Sequence, residues 1–376
     1  MAGIYIHIPY CKQACIYCNF HFSTGMKNLP EMVETMLFEL ESRKPYLQNE
    51  PVKSIYFGGG TPSLLSVEDI EKFLQKIYTL YEVEQGAEIT LEANPDDLSP
   101  EKLKALFKAG INRLSIGVQS FLQSDLEFLN RAHSAERALA CIQDAQQTGF
   151  ELITIDLIYG IPNQTDEAWL QNLHILQSLK IPHFSAYALT VEPKTVLDKW
   201  IKTAKSPPVN DENTARHFNL LTNWAAENNY EHYEISNFCL PGFYAKHNTA
   251  YWQGSKYIGI GPSAHSFNGK SRQWNVANNV KYLQNIKEEK PYFELEELGV
   301  NERYNEYIMT GLRTKWGCKI NFIHDEFGAA FVTYLLENAK PYINQNLLFL
   351  NENTLLITRN GKLLADRIIS DLFYIE

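Results

Sequence analysis

Short apolar runs recur along the first two thirds of the chain, each followed by a stretch with helical spacing. The strand-like runs cover 3–8, 52–57, 88–92, 113–117, 152–157 and 183–189, and all are rich in branched or aromatic residues. Amphipathic stretches at 29–47, 67–81, 100–109, 135–149 and 165–179 separate them. Several open on start signals. Ser66 ahead of Val67, Glu68 and Asp69 forms a capping-box arrangement, and Ser99-Pro100-Glu101 supplies a cap and a first-turn proline. Gly110 and Gly149 stand where a helix can end on a left-handed residue. Six β–α units in series predict parallel strands with helical crossovers, because a parallel pair needs a long connection. Six units rather than eight predict an α/β fold with an incomplete barrel.

Polar residues and glycines cluster where these strands end. Cys11, Cys15 and Cys18 follow the first strand and Gly58-Gly59-Gly60-Thr61 the second. Glu92 and Asn94 close the third, Gln119 the fourth, and Asp156 and Tyr159 the fifth. In parallel α/β barrels that rim binds ligands. Each residue alone has an ordinary reading, such as a tight turn for the glycines or a helix start for Gln119. Five strand ends aiming polar groups at one mouth are hard to explain by solvation. From about residue 192 the pattern changes. Glu192-Pro193-Lys194 and Ser206-Pro207-Pro208 read as connections, followed by a helix at 213–229, an aromatic strand at 230–238 and a hairpin over 347–358 near Asn360-Gly361. The expected division is a partial barrel over 1–205 and a smaller mixed α+β domain over 206–376, packed on the barrel mouth.

The net charge of −10 argues against nonspecific nucleic-acid binding and against a broad footprint on anionic lipid. No signal peptide is visible, and no apolar run approaches the ~18 residues of a membrane span. A cytoplasmic protein with no stable membrane insertion is expected. Six cysteines, three of them clustered, suit a reducing compartment. Cys141 reads as a small buried hydrophobe, and Cys239 and Cys318 have no sharper reading.

The clustered cysteines carry the most specific chemistry. The spacing of Cys11, Cys15 and Cys18 is C-x3-C-x2-C. Three thiolates on one loop can hold three corners of a cubane iron–sulfur cluster and leave the fourth iron open to a small molecule. A disulfide would leave one thiol over. A structural zinc site wants four ligands, and His21 keeps that alternative open. With Tyr17 just before the last cysteine, with Tyr5-Ile6-His7-Ile8-Pro9-Tyr10 ahead and with Gly58-Gly59-Gly60-Thr61-Pro62-Ser63 after, the chain resembles the radical S-adenosylmethionine (SAM) superfamily. Within it the chain is similar to the oxygen-independent coproporphyrinogen III oxidase group and its HemW branch of heme chaperones, over nearly the whole length.

The resemblance implies a TIM-like radical SAM barrel, a [4Fe-4S] cluster on Cys11, Cys15 and Cys18, and SAM bound beside it. Gly59, Gly60 and Thr61 would hold the methionyl end, and Tyr5, Tyr17, Glu92, Gln119, Arg131 and Asp156 would line the rest of the SAM site. Arg131 also reads as a surface salt bridge. Two departures separate the branches. Phe20 stands where the oxidase pattern has a further cysteine, and the first strand starts almost at Met1, without the oxidase's long leading segment. His247-Asn248-Thr249-Ala250-Tyr251-Trp252 matches the HNxxYW motif of the HemW branch. Imidazole ligates heme iron, and the aromatics offer flat apolar surface. His247 is therefore the candidate heme ligand, with His232 and His265 as rivals. The implied function is a heme chaperone with acceptor hemoproteins, respiratory ones among them, and an electron donor as partners. The alternative is coproporphyrinogen III oxidation by a 5′-deoxyadenosyl radical. The glycine-containing segment 259–265 lacks the spacing of a dinucleotide fingerprint and reads as a loop over the site.

Overall fold

The computed structural model describes residues 2–375. Six parallel strands follow the expected order: β1 (Ala2–Ile8), β2 (Val52–Gly59), β3 (Val83–Ala93), β4 (Arg113–Gln119), β5 (Leu152–Tyr159) and β6 (His183–Ala188). The helices Leu29–Ser42, Val67–Leu80, Pro100–Ala109, Ala135–Thr148 and Asp166–Ser178 form the crossovers. Their ends obey the local signals. Ser66 and Ser99 accept hydrogen bonds from the backbone N–H groups of Asp69 and Lys102, and Gly110 and Gly149 close helices at φ of 104° and 107°. A short helix, Gln123–Phe128, intervenes after β4 and is too brief to show a period in the sequence.

The sheet continues past residue 205. β7 (Glu231–Glu234), β8 (Asn237–Cys239), β9 (Lys256–Ile260), β10 (His265–Phe267), β11 (Ser271–Asn275) and β12 (Phe293–Glu297) extend it to twelve strands. β9 runs parallel to β1 and carries β10 to β12 outward, while β8 pairs antiparallel with β6. The strands at 231–297 thus lengthen both flanks of the barrel sheet instead of forming a separate layer over its mouth. Their shortness and mixed polarity hide this in the sequence. A second core, with Tyr304, Ile308, Leu312, Leu335, Leu355 and Ile368, begins only near residue 304. It contains the hairpin Leu348–Asn351 and Thr354–Ile357. The chain reverses there at Glu352, in left-handed backbone (φ 51°), and not at Asn360-Gly361, which leads into a 3₁₀ turn.

Strand alternation decides what the barrel encloses. Ile4, Ile6, Ile8, Ile55, Phe57 and Leu91 join the main core with the helices, and each fully buried side chain of this kind contributes about 1.5–3 kcal/mol. The opposite face carries Tyr5, His7, Ser54, Tyr56, Thr90 and Arg113, which line an interior cavity. A parallel barrel normally fills its interior with branched side chains. Here polar residues keep it open. Cys141, Cys239 and Cys318 are buried free thiols. Among the described residues no helix is long and apolar enough to cross a membrane.

Candidate functional site

The cysteine loop is fastened from several sides. Ile16 is buried with Leu129, Ile158 and Leu197; its N–H donates to the Leu129 carbonyl (3.4 Å) and its carbonyl accepts from Leu197 N–H (2.9 Å). Cys11 N–H donates to Ser23 O at 3.0 Å, and the Asn130 side-chain amide donates to Ala14 O at 2.9 Å. Lys12 pairs with Asp96 and Asp97 below the loop. This leaves three half-buried free thiols facing a cavity of about 460 Å³ at the C-terminal ends of the strands.

Tyr17, Gly59, Gly60, Thr61, Glu92, Gln119, Arg131 and Asp156 all line that cavity. Glycine is required at the second strand end: a Cβ on Gly60 would lie 2.5 Å from the Tyr10 carbonyl oxygen. Gly59, at φ 109°, donates its N–H to Glu92 Oε2 (3.2 Å). The Thr61 hydroxyl reaches Cys11 Sγ at 3.4 Å. Gln119 turns into the cavity at φ 69°, where β4 slips register against β5. Tyr5 falls elsewhere. It stacks on Tyr56 in the interior cavity below.

Arg131 is half-buried and is not the surface salt bridge its sequence context allowed. Its guanidinium donates to Cys15 Sγ (3.2 Å), Asn94 Oδ1 (2.6 Å) and Gly117 O (2.7 Å), and its buried Nε has no partner. A half-buried guanidinium that bonds only neutral groups and a thiol, with its Nε unpartnered, suits an anion beside it. Burial and the neighbouring sulfurs push the Cys11 thiol up to about 11, and burial also raises Cys18. Metal binding would have to displace those protons. The donor set therefore fits an anionic cluster with a carboxylate-bearing ligand beside it. It does not fit zinc completed by His21, which lines the interior cavity and not the cavity that the three thiols face. Among the described residues no three His, Cys, Asp or Glu side chains gather around a single ion, and a cubane takes only one thiolate per iron.

Below lies the interior cavity, about 740 Å³. His247 enters it from the helix Lys246–Trp252, whose first N–H groups (Lys246 and His247) donate to the Glu88 carboxylate at 3.0 Å each. Glu88 is in turn paired with buried Arg113 at 3.2 Å. An anion at a helix start is favourable. The His247 ring stacks on Tyr56 (5.0 Å), and its Nδ1 meets Ser54 Oγ at 2.9 Å. The ring packs closely on Gly3, where a Cβ would sit 3.1 Å away and oblige it to give by a few tenths of an ångström. Burial lowers the His247 imidazole to about 4, so it is neutral at ordinary pH. Tyr251 and Trp252 line the same cavity.

The radical SAM superfamily sequence model matches residues 5–176, and the HemN C-terminal domain model matches 299–364. The chain is 35% identical to the heme chaperone HemW of Lactococcus lactis, over 95% of this chain and 93% of that one. It is 32% identical to heme chaperone HemW of Bacillus subtilis over 98% of both. The chain belongs to the HemW family of the radical SAM superfamily. Its fold matches Escherichia coli coproporphyrinogen III oxidase (HemN), a radical SAM enzyme, with a TM-score of 0.86 at 22% identity, covering 99% of this chain and 90% of that one.

Membership of the radical SAM superfamily implies a [4Fe-4S] cluster and SAM. In this HemW-family chain the two cavities share a wall of Phe20, Glu92, Ser115, Asp156 and Tyr187. Phe20, at 70% exposure, offers no sulfur where the oxidase pattern has one. Glu92 accepts from Tyr56 OH at 2.7 Å, and burial, with Asp156 nearby, raises its carboxyl to about 7. Burial raises Asp156 to about 6. Of the rival histidines, His232 is turned away, 2.9 Å from Ile235 O and stacked on Phe238, whereas His265 stands at the interior cavity. Sequence reasoning missed Ser54, Tyr56, Glu88 and Arg113. Their signal was present, as polar residues at alternate positions of apolar strands, each of which reads alone as a solvated face.

A surface groove of about 690 Å³ lies between 160–167 and 207–216 and shares no residue with either cavity.

Proposed function

We propose that the protein is a heme chaperone. It holds heme in the interior cavity with His247 as axial ligand, and it releases heme to acceptor hemoproteins, respiratory cytochromes among them, in the cytoplasm. The observation that carries this reading is one neutral imidazole with its Nδ1 engaged, opening beside Tyr251 and Trp252 on a cavity within the size range of cofactor sites. The partner on Nδ1 fixes the ring and leaves Nε2 for iron. The HemW name of the relatives supports the same cargo.

Cys11, Cys15 and Cys18 would hold a [4Fe-4S] cluster. Gly59, Gly60 and Thr61 would receive the methionyl end of SAM, Arg131 its carboxylate, and Glu92, Gln119, Asp156 and Tyr17 the remainder. When bound and reduced by an electron donor, the cluster supplies the electron that splits the SAM sulfonium. Arg131 would bind and orient the carboxylate while neutralising buried negative charge, and the cysteine loop screens the site from water. Titration of the cluster-loaded protein with hemin should give a stoichiometric Soret shift, weakened by His247→Ala. A wild-type protein that leaves the hemin spectrum unchanged would sink the proposal. Anaerobic assay with SAM, reductant and coproporphyrinogen III separates the oxidase reading, and no turnover is expected.

A further inference from the structure

The segment 259–265 is tightly built, and the proposed function uses none of it. The turn between β9 and β10 is set by close backbone contacts. A Cβ on Gly259 would lie 2.1 Å from the His265 carbonyl oxygen, and one on Gly261, at φ 101°, would lie 2.6 Å from the His7 carbonyl oxygen. Ser263 takes a left-handed φ of 64°. Non-glycine residues persist in that region only where their surroundings over-determine them. Here the buried Glu39–Arg43 pair does so. Arg43 donates to Gly259 O (3.0 Å) and Ser266 Oγ (3.1 Å), and Gly261 N–H donates to Glu39 Oε2 (2.8 Å).

What this frame fixes in place is an exposed imidazole. His265 lines the interior cavity and is exposed to solvent, so it stands at the cavity mouth. Its side chain makes no hydrogen bond among the described residues, and its ring stacks on Trp274, its cross-strand partner, at 6.3 Å. His247 lies deeper. Its ring packs against Gly3, whereas His265 lies against Gly259, the β9 partner of Tyr5, two residues along β1 and roughly 7 Å away by strand rise. The two imidazoles therefore open on one cavity, His247 inside it and His265 at its exposed rim.

We infer that His265 is a second heme ligand, at the cavity mouth, that takes the iron from His247 as heme leaves for an acceptor. The inference rests on the heme-chaperone reading above. The step is a ligand exchange: the bond from iron to His247 Nε2 breaks, and a bond from a His265 ring nitrogen forms. Both imidazoles bind through a neutral lone pair, so no electron or proton is transferred. Trp274 beside His265 gives the macrocycle an apolar face.

The test uses the full chain loaded with one equivalent of hemin and mixed with excess apomyoglobin. His265→Ala and His265→Gln should each slow transfer several-fold while the His247-ligated absorption spectrum persists. His247→Ala should retain a weaker, rapidly exchanging imidazole-ligated spectrum that disappears in the His247→Ala/His265→Ala double variant. Transfer at the wild-type rate in both His265 variants would overturn the inference and leave the chaperone reading standing. So would an imidazole-ligated spectrum in the double variant equal to that of His247→Ala. Failure of wild-type protein to bind hemin would overturn the chaperone reading itself, and this inference with it. If the His265 variants fail to fold, the His247→Ala protein with its residual spectrum decides: no imidazole ligation there overturns the inference.

Discussion

The two cavities are built on different principles. The upper one is a backbone device. Glycines at 59 and 60, the register slip at Gln119 and a loop tied by main-chain hydrogen bonds place three thiols on one cavity, with Cys15 against a half-buried guanidinium. The lower one is a side-chain device. Residues from β1 to β4 converge on a histidine delivered by a helix more than a hundred residues later in the chain. The first can be damaged at a single atom, whereas the second loses function in graded steps. That contrast predicts which substitutions act on one cavity and spare the other.

The largest expected effect is on the upper cavity. Cys15→Ala should abolish iron and sulfide retention after anaerobic reconstitution, because a three-thiolate site has no spare ligand. Hemin binding to the same variant should persist, since no cysteine lines the lower cavity. Loss of both together, with the fold intact by circular dichroism, would show that the cavities are one functional unit.

Next in size is Glu88→Gln. Both Glu88 and Arg113 are almost wholly buried, and breaking such a pair by removing one partner costs about 3–5 kcal/mol. The denaturant midpoint should drop accordingly. Hemin affinity should fall as well, because the helix bearing His247 loses its N-terminal anion. Iron loading should be spared. Equal losses at both cavities would erase the proposed distinction.

The shared wall gives the third test. Glu92 has a folded-state pKa near 7, above its unfolded value, because burial penalises the charged carboxylate. The folded state therefore holds a proton that the unfolded state has given up. The stabilisation linked to it is full below pH ~4.3 and is lost as pH rises through about 7. Wild-type stability relative to Glu92→Gln should decline over that window by an amount on the order of 3 kcal/mol. Chemical denaturation of both proteins across the range measures it, and parallel curves would refute the assignment.

Legibility followed the same divide. The upper site could be read because a short spacing of one residue type, C-x3-C-x2-C, encodes it locally, and glycines mark the backbone approaches. The six parallel strands were readable because apolar residues at alternate positions face the helices. The lower site was not. Ser54, Tyr56, Glu88 and Arg113 lie on three strands, and only the parallel register shows that they face the same space. Strands β7 to β12 were missed as parts of the barrel sheet because pairings such as β9 with β1 join residues about 250 positions apart, beyond the reach of any local signal.

The smallest expected effect is the most exact probe of the lower cavity. Ser54 Oγ is 2.9 Å from His247 Nδ1. If the hydroxyl accepts a proton from Nδ1, it holds the tautomer whose Nε2 lone pair can take iron. Ser54→Ala removes one neutral hydrogen bond, about 1 kcal/mol, without touching the ring's stacking on Tyr56. Hemin affinity should weaken about fivefold, far less than with His247→Ala, and global stability should fall by a comparable ~1 kcal/mol. Ser54→Cys keeps a weak polar group at the same place and should recover part of the loss. If Ser54→Ala weakened hemin binding as much as His247→Ala, the hydroxyl would be contacting heme itself, and the orientation of the imidazole would have to be redrawn. If it had no effect, the ring would be held by Tyr56 and Gly3 packing alone.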